Sequence, residues 1–232
     1  MRAPRLLALL FLLHISLLAQ TTPQAQGDPE AIAIVQAAIT ALGGATAIAQ
    51  PQTWTFQAEM QGLHANGSVK YVASTDRDTG KVHSNDGAIV PAPAIHSYFV
   101  PALVGSILLN QSQDPKFSMR YGGISQLNSR SVAIVIFNVG RAKFPAQSWS
   151  FDSVTHMPVQ IDLRLPVKIG ARTSFHGVVS LSDYRNISGV QYPFRLVSPE
   201  AWRPPEIVTL QSVVTDSVAT QNIFNGFAGD LR

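Results

Sequence analysis

Hydrophobic positions recur along this chain with two different periods, and the switches between them predict the order of its elements. From 28 to 48 the period is helical, because Ile32, Val35, Ile39 and Leu42 fall on one face. Asp28 is placed to cap this helix, Pro29 suits its first turn and Glu30 faces the positive end of its dipole. Gly43-Gly44 stops or bends it, with a short last turn running on to Gln50. After Pro51 the period becomes two. Trp54, Phe56, Ala58 and Met60 share one face of a strand over 53–61, and Thr55, Gln57, Glu59 and Gln61 share the other. Asn66-Gly67 predicts a tight hairpin turn, and Val69, Tyr71 and Ala73 line one side of the returning strand. A further turn at 76–80 leads to a short third strand over 81–85.

The helical period returns from 95 to 110, where His96, Phe99, Leu103, Ile107 and Asn110 recur and Pro101 lies early enough to be tolerated. This second helix, inserted among strands, carries a broad apolar stripe that includes Phe99, Leu103 and Ile107. From Phe117 onward strands resume. Val132 to Phe137 is an unbroken apolar run, the pattern of a strand covered on both faces. Trp149 and Phe151 lead into a turn at Asp152, and Val159, Ile161, Leu163 and Leu165 then alternate with polar residues. Strands over 175–181, 190–197 and 207–216 complete the series, and the tail 221–232 reads as loosely tied. In Asp183 to Leu196 the turn residues Asn186 to Gly189 separate two strands. Val190, Tyr192, Phe194 and Leu196 share one face of the second, and Pro193 marks an edge or a bulge.

The N-terminus stands apart from this pattern. Arg2 and Arg5 precede an almost wholly apolar run from Leu6 to Leu18, and a polar segment follows, which is the order of a secretory signal over residues 1–27. The run is about 13 residues, short of the roughly 20 that span a bilayer. Cleavage after Ala19 and cleavage after Gly27 both fit. The expected single domain is therefore 28–220. Losing Arg2 and Arg5 leaves fifteen basic against fourteen acidic residues, so a near-neutral chain has no electrostatic footprint for nucleic acid. Cysteine is absent, which removes disulfides, thiolate chemistry, Cys-based metal sites and lipid attachment through an N-terminal cysteine. Export without disulfides suits a bacterial periplasm, and no membrane span is expected after signal cleavage.

Candidate chemistry is sparse. Of the six histidines, His14 leaves with the signal, and His64, His83, His96, His156 and His176 show no metal-ligand spacing. There is no G-x-S-x-G elbow and no phosphate loop, and Glu59, Glu200 and Glu206 are scattered. No catalytic residue, metal or cofactor is therefore assigned. A hydrolase would require two or more of His83, His96, His156 and His176 to converge with acidic residues in one pocket. What remains is apolar surface around two helices. Trp54, Phe56, Met60, Tyr71, Phe99, Leu103, Ile107, Trp149, Phe151, Tyr192 and Phe194 are its candidate ligand-binding residues.

Five stretches carry a family resemblance: A-L-G-G-A-T-A-I-A (41–49), H-S-Y-F-V-P-A-L (96–103), R-Y-G-G (120–123), M-P-V-Q-I (157–161) and the segment 183–196. Together with the opening helix and the meander they make the chain similar to LolA/LolB-like, outer-membrane-lipoprotein-sorting-like periplasmic proteins. The resemblance implies a mainly β fold with α, a curved, unclosed antiparallel half-barrel covered by the N-terminal and inserted helices over an apolar cavity. In carriers of that family the cavity holds lipoprotein acyl chains, so a lipid or lipoprotein acyl chain is the implied ligand. A filled-core sensor or interaction domain with an envelope protein partner is the alternative.

Overall fold

Among the described residues the strands assemble into one sheet of twelve. The computed structural model describes residues 26–62, 66–74, 81–84, 89–91, 100–139, 147–165, 175–198 and 205–218. The strands are β1 (Gln26–Gly27), β2 (Thr53–Gln61), β3 (Gly67–Ser74), β4 (Lys81–Ser84), β5 (Ile89–Pro91), β6 (Phe117–Leu127), β7 (Arg130–Val139), β8 (Gln147–Asp152), β9 (Pro158–Leu165), β10 (Phe175–Ile187), β11 (Val190–Ser198) and β12 (Glu206–Thr215). Their order across the sheet is β1-β6-β7-β8-β9-β10-β11-β12-β2-β3-β4-β5. Two meanders are thus joined where β12 pairs with β2, from Ile207 opposite Gln61 to Thr215 opposite Trp54. All the pairs are antiparallel except β1 with β6, which makes the sheet mixed. Its end strands β1 and β5 do not pair, so it stays open. Register shifts in β6 at Tyr121/Gly123 and in β12 at Leu210/Ser212 are bulges, which bend the strands that carry them.

Two helices follow β1, α1 (Pro29–Ala41) and α2 (Ala45–Ala49). A 3₁₀ turn, Val100–Leu103, leads into α3 (Val104–Gln113). The apolar face of α1 is deepest at Ala31, Val35 and Ala38, while Ile32 is only half-buried. α1 packs against β6 and β7. Asp28 stands at the cap position but its side chain does not cap α1. Its carboxylate instead accepts the Tyr121 N–H at 2.9 Å, while its own N–H donates to the Met119 carbonyl at 2.9 Å. The N-terminus of α1 is in this way fastened to β6.

Two expectations shift. Asn66-Gly67 is not a two-residue turn: β2 ends at Gln61 and β3 begins at Gly67, and the Asn66 side chain closes the longer loop by accepting the Gly62 N–H at 3.1 Å. The inserted helix runs to Gln113 rather than to Asn110, because the polar Gln111-Ser112-Gln113 continues it until Asp114 turns extended before Pro115. Residues 92–99, where it was expected to begin, lie outside the described residues, as do residues 1–25 of the expected signal and the tail 221–232.

The A-L-G-G stretch and the hairpin over 183–196, far apart in sequence, meet in the fold. The Leu42 carbonyl accepts the Gln191 N–H at 2.9 Å. Gly43, at φ +123°, lies so near the β10–β11 turn that a Cβ there would sit 2.2 Å from the Gly189 carbonyl oxygen. That turn is the predicted one, with the Gly189 N–H donating to the Asn186 side chain at 3.0 Å.

Candidate functional site

The concave face of the sheet is where the candidate residues gather. Period two places Trp54, Phe56, Ala58 and Met60 of β2 on the face shared by Tyr71 of β3, Trp149 and Phe151 of β8, and Tyr192 and Phe194 of β11. All of these are buried within one hydrophobic cluster. Leu103 and Ile107 pack against it half-buried, and Phe99 lies outside the described residues. Sequence alternation therefore identified the face. It missed Phe117, Val135 and Phe137, since the run Val132 to Phe137 has no alternation from which to read direction.

α3 shows how the face is enclosed. It packs against α1 and α2 and also against β6 and β11. Those strands lie five positions apart in the sheet order, about 24 Å along a flat sheet at ~4.8 Å per strand. A ten-residue helix is only about 15 Å long. A sheet that reaches it from both sides must curve around it, with β7 to β10 forming the floor beneath. Gly105 of α3 leaves room for Ile48 of α2, whose side chain would lie 3.4 Å from an added Cβ.

Aromatic rings form a continuous ladder on this floor. Phe117 and Phe137 meet edge to face at 6.5 Å between centroids, Phe137 and Trp149 lie 6.2 Å apart, and Trp149 stacks on Phe151 at 6.1 Å. Across the sheet Phe56 stacks on Tyr71 at 6.0 Å, and burial pushes the Tyr71 phenol well above its ordinary range. The Trp54 indole donates to the Tyr192 hydroxyl at 3.0 Å in the interior. Burial raises the Tyr192 pKa, and the Trp54 hydrogen bond opposes that rise. At the rim, the Arg185 guanidinium stacks 4.3 Å over the Phe194 ring while pairing with Asp183 at 2.6 Å. The Asp183 carboxyl is held below the usual carboxylate range by that arginine.

One part of the floor is polar. The Gln111 side chain of α3 donates to the Gln147 side-chain carbonyl of β8. Gln147 stands two residues from Trp149 and so shares its face. Neither glutamine is visible to a sequence reading, because the pair joins a helix to a strand 36 residues later.

Among the described residues no group of three or more His, Cys, Asp or Glu is placed to hold a metal ion. His156 is exposed in the turn after β8, His14, His64 and His96 fall outside the described residues, and of His83 and His176 only the backbone is described. Among the described residues no helix is long and apolar enough to cross a membrane.

Comparison with known proteins gives likeness of fold only. No family model and no curated protein matches the chain. Among solved structures, it is similar to a LolA superfamily protein from Nitrosomonas europaea, with TM-score 0.49 and 9% identity over 81% of this chain and 94% of that one. It is also similar to an outer membrane lipoprotein-sorting protein domain from Vibrio parahaemolyticus, with TM-score 0.49 and 10% identity over 86% and 97%. A DUF1329 family protein from Desulfovibrio piger follows, with TM-score 0.46 and 8% identity over 81% and 94%. These are of the kind named by the sequence resemblance. Nothing about this chain's ligand or partners follows from them, and its architecture stands on the strand order and register above.

Proposed function

We propose that this is an exported envelope protein that binds an apolar ligand, a lipid or a lipoprotein acyl chain, between the concave sheet and α3 and acts as a carrier. The observation that supports this most is the enclosure itself: an unclosed sheet bends around α3, with α1 packed beside it on β6 and β7, and the floor is lined by aromatic and aliphatic side chains. Such a face, with few polar groups, suits an acyl chain, whose burial contributes about 0.8 kcal/mol per methylene. The helix that roofs it is held largely by side-chain packing, so its displacement would admit a ligand without unpairing any strand. Export to the periplasm belongs to the same reading and rests on the signal-like N-terminus.

The full burial of Trp54, Phe56, Tyr71, Trp149 and Phe151 favours a second reading, a filled-core interaction or sensor domain that meets an envelope protein partner through its rim. Native mass spectrometry of the protein purified from the periplasm separates the two. The carrier reading predicts a bound species of lipid mass that organic extraction removes. Protein that carries no such species, and takes up no acyl-chain probe afterwards, supports the filled core instead.

A further inference from the structure

The floor under α3 holds a buried hydrogen-bond donor and a buried acceptor that no described residue uses. Trp149 is fully buried, yet its indole N–H has no hydrogen-bond partner among the described residues. The side-chain oxygen of Gln111 is likewise buried and without a partner, although the same amide donates to Gln147. An unmet buried polar group costs about 1–3 kcal/mol, so two such groups beside one apolar face are a sizeable penalty. Gln147 links them on one face. Gln111 reaches Gln147, and Gln147 and Trp149 are alternate residues of β8 on one face, about 7 Å apart along the strand.

The Trp149 ring is held in place around this donor. Phe151 stacks on one side, Phe137 lies tilted on the other, and Ile161 stands opposite on β9. These neighbours offer the indole no polar atom. Phe137, Phe151 and Ile161, the described neighbours of the ring, carry no charge to balance an anion. A buried carboxylate here would lack a counter-charge, whereas a neutral group would meet both hydrogen bonds at little cost.

We propose that Trp149 and Gln111 receive the neutral polar group of an acyl-chain lipid, a hydroxyl or amide that accepts from the indole N–H and donates to the Gln111 oxygen. This rests on the apolar-ligand reading above and adds which class of lipid the site takes. The aliphatic chain lies along the aromatic floor, and the polar group fixes its depth and orientation. Selection among lipids then favours uncharged hydroxyl- or amide-bearing molecules over free fatty acids.

The test uses the full chain and a matched set of probes: 1-dodecanol, dodecane and dodecanoate, each displacing the neutral dye N-phenyl-1-naphthylamine. The wild-type protein is expected to bind dodecanol at least about tenfold more tightly than dodecanoate at pH 8. Trp149→Phe, which keeps the ring and deletes the donor, should weaken dodecanol binding about fivefold and leave dodecane unchanged, and Gln111→Met should do the same. Dodecanol affinity unaltered by both substitutions, with dodecane still binding, overturns the polar-group assignment and leaves the apolar-ligand reading standing. Failure of the dye and of all three probes to bind the wild-type protein overturns the apolar reading and the assignment with it. Should Trp149→Phe fail to fold, the indole N–H resonance of Trp149 in the wild-type protein, assigned through sequential connectivities, decides the matter. It should shift on addition of dodecanol and stay in place on addition of dodecane. A resonance that dodecanol does not move contradicts the proposal.

Discussion

The contact between the α1–α2 corner and the β10–β11 turn makes a quantitative prediction. Gly43 and Gly44 are adjacent, and both have positive φ, +123° and +86°. Alanine at either position therefore meets backbone strain of about 1–3 kcal/mol, since such positive φ, at Gly44 with ψ 154°, is kept almost wholly to glycine. They differ in surroundings. An added Cβ at Gly44 meets nothing within 4 Å, whereas at Gly43 it would stand 2.2 Å from the Gly189 carbonyl oxygen and 3.2 Å from the Val190 Cα. Relieving that overlap means moving the hairpin turn away from α1 and straining the Leu42–Gln191 hydrogen bond, an overpacking cost of about 1–3 kcal/mol more. In a domain of about 200 residues, 1 kcal/mol corresponds to about 3 °C in Tm. Gly44→Ala should thus lower Tm by about 3–9 °C and Gly43→Ala by about 6–18 °C, both read by calorimetry on the purified protein. Equal losses at the two positions would refute the reasoning, because the difference between them isolates the approach to Gly189.

Three further outcomes follow from other parts of the molecule. Tyr192→Phe leaves the buried Trp54 indole without its acceptor and should cost about 1–3 kcal/mol in urea unfolding, whereas Trp54→Phe with Tyr192→Phe should cost less than the sum of the single changes. The Asp152 carboxylate accepts the Val154 and Thr155 N–H groups at 2.9 Å each, and the Thr155 bond is the main cause of its lowered pKa. Because the folded-state pKa lies below the unfolded one, this stability is present above the unfolded value near pH 4 and is lost as pH falls through the folded one. Asp152→Asn should therefore flatten the acid limb of the stability profile below pH 4, and an unchanged limb would remove Asp152 from it. Gln26 and Gly27 pair with Ser118 and Met119, and a Cβ on Gly27 would lie 2.0 Å from the Met119 carbonyl oxygen. Of the two cleavage sites that fit the sequence, we therefore expect the one after Ala19. N-terminal sequencing of exported protein should read Gln20, and a first residue of Asp28 would contradict the role given to β1.

Much of the fold was legible where one face of an element is buried and the other is wet. β2 matched its predicted span because Trp54, Phe56, Ala58 and Met60 alternate with polar residues, and the β10–β11 hairpin was readable from Asn186 to Gly189. Pro193 was read as an edge or a bulge, and β12 indeed pairs with β11 only from Arg195 onward. β1 was not legible, since two residues, Gln26 and Gly27, carry no period. Nor was the use of Asp28, whose carboxylate serves β6 across 93 positions of sequence instead of its own helix. The candidate apolar face was read in large part from alternation, while its polar spot was not. Gln111 looks like the solvent side of a helix and Gln147 like the start of a strand, and only the curvature of the sheet around α3 brings them together.

The central claim, that the concave face takes an acyl chain, is tested most directly by isothermal titration of delipidated protein with 1-dodecanol at two temperatures. Transfer of a chain from water onto the aromatic floor predicts saturable one-to-one binding with a negative heat-capacity change. Heats that match dilution of dodecanol into buffer at both temperatures would contradict the account and leave the molecule a filled-core domain.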